Sequence, residues 1–163
     1  MTSSIRILAV ASGGGHWVQL QRLKTAFAGH QAIYATVGPC DPAVVAPAEV
    51  RLLPDANART PIRMLWLLVR VAWLVLRVRP DVVVTTGAAC GYWAIRLGRL
   101  IGAKTIFLDS IANAEQLSLS ARLAMRYADV TLTQWSDLAV ATTSEALSPA
   151  EQKHVPRYWG AVV

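Results

Sequence analysis

The chain has 163 residues, 54% of them hydrophobic and only 16% charged, and carries a formal net charge of +6. This length and composition exclude a disordered chain and predict one domain with a sizeable core. The excess of apolar residues predicts a surface that contacts a membrane or a partner. The positive net charge predicts that this membrane or partner is anionic. Two cysteines without a C-x-x-C pair exclude a disulfide framework, and the N-terminus lacks the apolar core of a signal peptide, so we expect a cytoplasmic protein.

Short apolar runs alternate with helix-like stretches along the chain. The predicted strands are 5–11, 32–37, 50–53, 82–85, 104–108 and 130–133. The predicted helices are 16–27, 61–79, 89–101 and 118–127, and the tail beyond Trp135 is ambiguous. This alternation predicts an α/β fold with a Rossmann-like, doubly wound parallel sheet in a single domain, 1–163. Ligands of such sheets bind beyond the carboxyl ends of the strands, which selects the candidate residues.

Two glycine-containing loops follow the first and fourth predicted strands, where the chain turns into a helix. Glycines let the backbone approach a ligand closely, and the helix N-terminus behind each loop favours an anion such as a diphosphate. The residues expected to bind it are Ser12, Gly13, Gly14, Gly15, Thr86, Gly87, Gly91 and Tyr92. A tight turn without a ligand is the alternative. A dinucleotide site fits poorly, because Val18 stands where a third glycine is needed and no acidic residue lies near Thr36.

The longest predicted helix, 61–79, carries arginines and tryptophans on one face. This arginine–tryptophan stripe, spaced by three and four residues, comprises Arg63, Trp66, Arg70, Trp73 and Arg77. Almost all other positions are apolar, which favours a helix lying in a membrane interface, with arginines at lipid phosphates and tryptophans at the headgroup level. The alternatives are a core helix with a solvated arginine face, a nucleic-acid surface without a recognition motif, and a membrane span, which the arginines along its length disfavour.

Three titratable residues lie where a reacting group is expected. His16 opens the first helix beside the glycines, Asp109 ends the fifth predicted strand, and Glu115 lies in the loop that follows. Each is a candidate general base or substrate ligand. The alternatives are that His16 only hydrogen-bonds its loop and that Asp109 caps a helix or orients the loop. No metal-ligand spacing occurs, so we expect neither a metal nor another cofactor.

Several segments together resemble one enzyme family. The run 11–16 (ASGGGH) and the run 84–87 (VTTG), followed by Gly91 and Tyr92, resemble the two glycine loops of MurG-type GT-B glycosyltransferases. The segments that are similar to one branch of it are 107–110 (FLDS), 117–120 (LSLS), 122–123 (RL), 128–129 (AD) and 134–135 (QW). That branch is the acceptor-binding, membrane-anchoring subunit of the split UDP-GlcNAc transferase of asparagine-linked glycosylation, with its bacterial, PssD-like relatives of exopolysaccharide and capsule synthesis.

The resemblance covers about 5–138 and implies the N-terminal half of a GT-B enzyme. The eukaryotic subunit begins with a transmembrane anchor, for which this chain has no counterpart, and it has Glu and Arg where this chain has Asp109 and the run 112–114 (ANA), so the bacterial branch matches better. The chain also shows no second Rossmann-like half after Val163, which agrees with a split enzyme.

The implied activity is an inverting transfer of a sugar from a UDP-sugar to a polyprenyl-diphosphate-linked saccharide. A separate subunit would bind the nucleotide sugar, and the remaining partners would be the lipid-linked acceptor and an anionic membrane, with no nucleic acid. The location implied is peripheral, on the cytoplasmic face of the inner membrane. Two other functions stay open: a non-catalytic scaffold that recruits a glycosyltransferase to the membrane, and a stand-alone nucleotide-binding enzyme.

Overall fold

A parallel β-sheet forms the centre of the protein, in a computed structural model that describes residues 4–139 and 155–162. Its strands are β1 (Arg6–Ala11), β2 (Gln31–Val37), β3 (Glu49–Leu53), β4 (Val82–Thr85), β5 (Lys104–Leu108), β6 (Val130–Thr133) and β7 (Arg157–Tyr158). Their order across the sheet is β3-β2-β1-β4-β5-β6-β7, and every neighbouring pair is parallel.

Helices cover both faces of this sheet. They are α1 (Gly15–Arg22), α2 (Pro61–Val78), α3 (Ala88–Leu100) and α4 (Leu119–Ala124). Alternate side chains of a strand point to opposite faces, so Leu8 and Val10 of β1 join the core beneath α2, α3 and α4, whereas Ile7 and Ala9 join the core beneath α1. Burial on both faces explains why β1 and β4 read as continuous apolar runs.

The direction of winding reverses between β1 and β4. The chain moves outwards from β1 through β2 to β3, and then returns to β4 on the other side of β1 before moving on to β7. The loops after β1 and β4 therefore diverge at the carboxyl edge of the sheet, and the crevice between them is where a doubly wound sheet binds its ligand. Both predicted glycine loops lie at this crevice.

The predicted fold class is confirmed, with corrections to particular elements. The first helix ends at Arg22, because the stretch Leu23–Phe27 tightens into a 3-10 helix, and the fourth helix is Leu119–Ala124 rather than 118–127. Ser118 is its N-cap and accepts a hydrogen bond from the Ala121 amide, 3.0 Å away. Strand β7 was not predicted, because two residues show no alternation that a sequence pattern could reveal.

Candidate functional site

His16 joins the two glycine loops. Its Nδ1 lies 2.6 Å from the carbonyl oxygen of Thr86, and the Thr86 hydroxyl donates to the backbone carbonyl of His16 at 2.7 Å. Two reciprocal hydrogen bonds therefore connect the start of α1 to the end of β4, across a separation of 70 residues. Thr86 is fully buried, so its hydroxyl holds the loops together rather than facing a ligand.

The contact with Thr86 also fixes the tautomer of the imidazole. A carbonyl oxygen can only accept, so Nδ1 of His16 carries a proton and donates it; when the ring is neutral, the free lone pair is therefore on Nε2. Nε2 makes no hydrogen bond to any residue that the structure describes. The ring lies against Gly87, where a Cβ would stand only 2.9 Å from Cε1 of His16. Gly87 thus gives the imidazole its place at the crevice.

The other glycines of the two loops differ in the space that surrounds them. Gly14 and Gly15 are exposed at the start of α1, and a Cβ on either would meet no atom within 4 Å, so their backbone is open to a ligand. A Cβ on Gly13 would stand 2.7 Å from the carbonyl oxygen of Val37. A Cβ on Gly91 would overlap the Thr85 hydroxyl, so Gly91 lets α3 pack closely on β4. Gly91 is therefore placed in the packing of the loop rather than on its open side.

Tyr92 lies in an aromatic cluster between α3 and the end of α4. Its ring is 4.9 Å from that of Trp93 and 6.3 Å from that of Tyr127, measured between centroids. Arg96 donates to the Tyr92 hydroxyl at 3.3 Å and stacks on the other two rings. Ser12, by contrast, is half-buried beside Gly13 and makes no hydrogen bond within the part of the chain described here.

The carboxylate of Asp109 is buried and fully engaged. The residue is 1% exposed, and its Oδ1 accepts from the Ser110 amide at 2.9 Å and from Asn113 Nδ2 at 3.0 Å. Its Oδ2 accepts from the Ser118 amide at 2.8 Å. The segment 109–118, which we call the β5 loop, is therefore folded around this side chain. The arrangement is that of a loop-orienting group rather than of a base open to a substrate.

Two exposed carboxylates lie at the same edge of the sheet. Glu115 stands in the β5 loop and makes no hydrogen bond or ion pair to the described residues. Asp55 follows β3, close enough to Cys90 at the start of α3 for its charge to act on the thiol. Burial and, to a smaller extent, Asp55 raise the pKa of Cys90 to about 12, so this thiol stays protonated and inert. Within the ranges 4–139 and 155–162, no group of three His, Cys, Asp or Glu side chains could hold a metal ion.

A hollow at the opposite, amino edge of the sheet is separate from this crevice. Arg6 there forms a 3.0 Å ion pair with Asp81 and also donates its backbone amide to the same carboxylate. These hydrogen bonds hold the pKa of Asp81 below its ordinary value. The contact fastens the start of β1 to the turn before β4.

All five residues of the arginine–tryptophan stripe are exposed on α2. Trp66 and Trp73 are each 55% exposed, and the Arg70 guanidinium lies between them, 5.9 Å and 5.8 Å from the two ring centroids. The opposite side of the helix is buried through Leu67, Val71, Leu74 and Val75. None of the described helices is both long enough and apolar enough to cross a bilayer.

The outer face of α2 also exposes four aliphatic side chains that the stripe did not include. They are Ile62, Leu65, Val69 and Leu76, which are between 49% and 84% exposed. At about 100° per residue, the face passes from these aliphatic side chains through the tryptophans to the arginines on its far side. No carboxylate occurs in α2. The face therefore combines apolar, interfacial and cationic sectors side by side.

Comparisons with known proteins identify the family and the fold. Residues 44–148 match the family described as "Oligosaccharide biosynthesis protein Alg14 like", whereas no curated protein matches the sequence significantly. Similar solved structures include MurG of Acinetobacter baumannii, with a TM-score of 0.68 and 13% identity over 85% of this chain and 44% of that one. A UDP-N-acetylglucosamine 2-epimerase of Rickettsia bellii has a TM-score of 0.69 and 13% identity over 98% and 46% of the two chains. A glycosyltransferase of Rickettsia africae has a TM-score of 0.60 and 14% identity over 97% and 43%.

At these identities the structural likeness establishes the fold alone, that of the N-terminal half of a GT-B glycosyltransferase, and this chain spans less than half the length of each of the three. The predicted PssD-like, exopolysaccharide branch stays a prediction. The family match covers well over half of the sequence. The chain thus belongs to the Alg14-like family of oligosaccharide biosynthesis proteins.

Proposed function

We propose that the chain is the acceptor-binding, membrane-associating subunit of a two-component glycosyltransferase. It would act in exopolysaccharide or capsule synthesis, at the cytoplasmic face of the inner membrane, on a polyprenyl-diphosphate-linked saccharide. The observation that carries this proposal is the crevice between the two glycine loops, where His16 presents a free Nε2 beside open backbone. Membership of the Alg14-like family supports it.

His16 is the proposed general base. As the acceptor hydroxyl oxygen forms its bond to the anomeric carbon, its proton passes to Nε2, and the bond from that carbon to UDP breaks with its electron pair. Because attack and departure occur on opposite sides of the carbon, the configuration inverts. The Nδ1–H bond to Thr86 supports this role, since it orients the ring and stabilises the imidazolium that forms.

The diphosphate of the lipid carrier would bind at the starts of α1 and α3. The first amide groups of a helix have no partner within it, and the helix dipole adds partial positive charge there. Gly14 and Gly15 expose such backbone at α1, whereas Gly87, the N-cap of α3, is buried against the His16 ring. Asp109 would act by holding the β5 loop in shape, and the exposed Glu115 in that loop would contact the acceptor sugar. No metal or cofactor takes part in this proposal.

The outer face of α2 would dock on an anionic bilayer. Its aliphatic and tryptophan sectors suit the acyl and headgroup levels, and its arginines suit lipid phosphates. Because α2 follows β3, it begins at the carboxyl edge of the sheet, the edge that carries both glycine loops. A helix lying in the interface in this way would hold the crevice within reach of a lipid-linked diphosphate.

Docking of α2 can be tested with vesicles that contain about 30% anionic lipid. Each arginine near such a surface contributes roughly 1 kcal/mol, so the triple change Arg63→Gln, Arg70→Gln, Arg77→Gln should weaken binding about 100-fold. Replacing both tryptophans with alanine should weaken binding to neutral vesicles as well. The control replaces Lys24, Arg122 and Arg126, which are exposed, lie outside α2 and carry the same net charge. If both triple variants lost the same affinity for the vesicles, net charge alone would explain the binding, and α2 would not be a docking face.

The second component would supply the nucleotide sugar. Membership of the Alg14-like family supports a separate polypeptide for the donor half. The test is a reconstitution on vesicles bearing a polyprenyl-diphosphate-linked acceptor, with this chain, the nucleotide-sugar-binding chain of the same organism, or both. Transfer should require both chains. Transfer by the partner alone, merely raised by this chain, would favour the scaffold function, and transfer by this chain alone would favour a stand-alone enzyme.

A further inference from the structure

The β5 loop has a second anchor besides Asp109. The side-chain amide of Gln134, directly after β6, donates through Nε2 to the backbone carbonyl of Asp109 at 2.9 Å. Trp135 donates its indole N–H to the carbonyl of Ile111 at 2.8 Å. The two residues thus hold the beginning of the loop from the neighbouring strand, 24 and 25 residues further along the chain.

Gln134 also holds the C-terminal segment. The backbone amide of Val162, beyond β7, donates to Gln134 Oε1 at 2.8 Å. The carbonyl of the same residue accepts from Arg22 at the end of α1, 3.3 Å away. Gln134 is only 4% exposed, so one buried amide contacts both the C-terminal segment and the β5 loop.

The partners of Gln134 determine how its amide is oriented. The Asp109 carbonyl can only accept and the Val162 amide can only donate, so the nitrogen must face the first and the oxygen the second. The two bonds are therefore interdependent: a rotation of the amide that breaks one also breaks the other. The donor and the acceptor of a side-chain amide are separate atoms, so each bond holds one end of the group.

We infer that Gln134 is a positioning residue that transmits the placement of the C-terminal segment to the β5 loop. When Val162 is in place, Gln134 is held with its nitrogen on Asp109, and the Asp109 carboxylate can gather the Ser110 and Ser118 amides around it. When Val162 moves away, the Gln134 amide is free to rotate and the loop loses its outer anchor. The consequence for sugar transfer rests on the proposed function, whereas the coupling itself does not.

Hydrogen exchange on the chain alone tests the coupling. Gln134→Glu keeps an acceptor for Val162 but removes the donor to Asp109, and a chain that ends at Gly160 removes Val162 while keeping β7. Each change should speed exchange of the Ser110 and Ser118 amides, by roughly 10-fold for the substitution. In the Gln134→Glu background, the shortened chain should give no further increase. Exchange at the Thr86 amide reports whether the rest of the fold is intact.

The matched control is Gln31→Glu, the same chemical change at an exposed position of β2. It should leave β5-loop exchange as in the unaltered chain. If shortening the chain leaves the β5 loop unchanged, or speeds it equally with and without Gln134, the C-terminal segment is not coupled through this residue and the inference is wrong. Should Gln134→Glu fail to fold, the shortened chain and Gln134→Met supply the same comparison.

Transfer by the reconstituted pair tests the consequence. Gln134→Glu should raise KM for the lipid-linked acceptor several-fold, leave KM for the UDP-sugar unchanged, and change kcat less than His16→Asn does. An unaltered pair that shows no transfer would contradict the proposed function and leave the exchange result standing. A transferring pair whose acceptor KM ignores Gln134 would contradict the positioning role alone.

Discussion

His16 and Asp109 occupy equivalent places, each just beyond the carboxyl end of a central strand, yet their polar atoms are used differently. His16 is bonded on one side only, through Nδ1, and its Nε2 remains available. Asp109 accepts three hydrogen bonds from its own loop and is 1% exposed, so its carboxylate is directed into the loop and away from a substrate. Position at a strand end therefore selects candidate catalytic residues. The hydrogen bonds that each side chain already makes then show which of them can react with a substrate and which only supports a loop.

The largest expected effect comes from His16→Asn. The asparagine nitrogen can replace Nδ1 in donating to Thr86, but it provides no base in place of Nε2. We expect transfer by the reconstituted pair to fall about 10²- to 10⁴-fold with little change in thermal stability. His30→Asn is the control, since this histidine directly precedes β2 and therefore lies at the amino edge of the sheet, away from the crevice. Full transfer by His16→Asn would place the base on the partner.

Asp109→Asn should act on stability first. Its amide would direct N–H groups towards one of the three donors that now share the carboxylate, and the free energy of unfolding should fall by about 1–3 kcal/mol. Transfer should decline through a higher acceptor KM. Glu115→Gln, in the same loop but exposed, should leave unfolding unchanged in chemical denaturation. If Asp109→Asn instead abolishes kcat in a fully stable protein, the carboxylate is a reacting group and the contrast with His16 fails.

Gly91 and Gly15 show the same difference between a supporting position and one open to a ligand. Gly91→Ala would press a methyl group into Thr85 and should cost about 1–3 kcal/mol of unfolding free energy. Gly15→Ala has open space and an ordinary backbone conformation, so stability should hold or rise slightly. Its methyl group would instead crowd a bound diphosphate and weaken acceptor binding. Equal acceptor affinity for Gly15→Ala and the unaltered chain would argue against a ligand at the first loop.

The sequence was sufficient for the sheet but not for the roles of single residues. Strands β4, β5 and β6 were predicted with their observed limits because buried strands are short apolar runs between turn residues. The engagement of Asp109 by Ser118 and Gln134, and of His16 by Thr86, depends on segments 9, 25 and 70 residues apart. The role of Gly91 likewise depends on which side chain of β4 its helix meets. Spacing in one sequence carries no information on such pairings.

For the arginine–tryptophan stripe, the sequence predicted an exposed surface of α2 correctly but did not predict how many residues belong to it. Residues three and four apart share a helical face, so the arginines and tryptophans could be grouped before the fold was known. Leu65 and Leu76 could not be assigned to the exposed side in advance, because an apolar residue is normally buried. Their exposure, at 62% each, follows only from how α2 packs against the sheet.

Binding of the two substrates to this chain alone tests the central claim most directly. The chain would be placed in nanodiscs that contain anionic lipid, and its affinities for a polyprenyl-diphosphate-linked saccharide and for the UDP-sugar would be measured side by side. The account predicts saturable binding of the lipid-linked acceptor, weakened by Gly15→Ala, and no measurable binding of the UDP-sugar. Tight binding of the UDP-sugar without any detectable acceptor binding would contradict it.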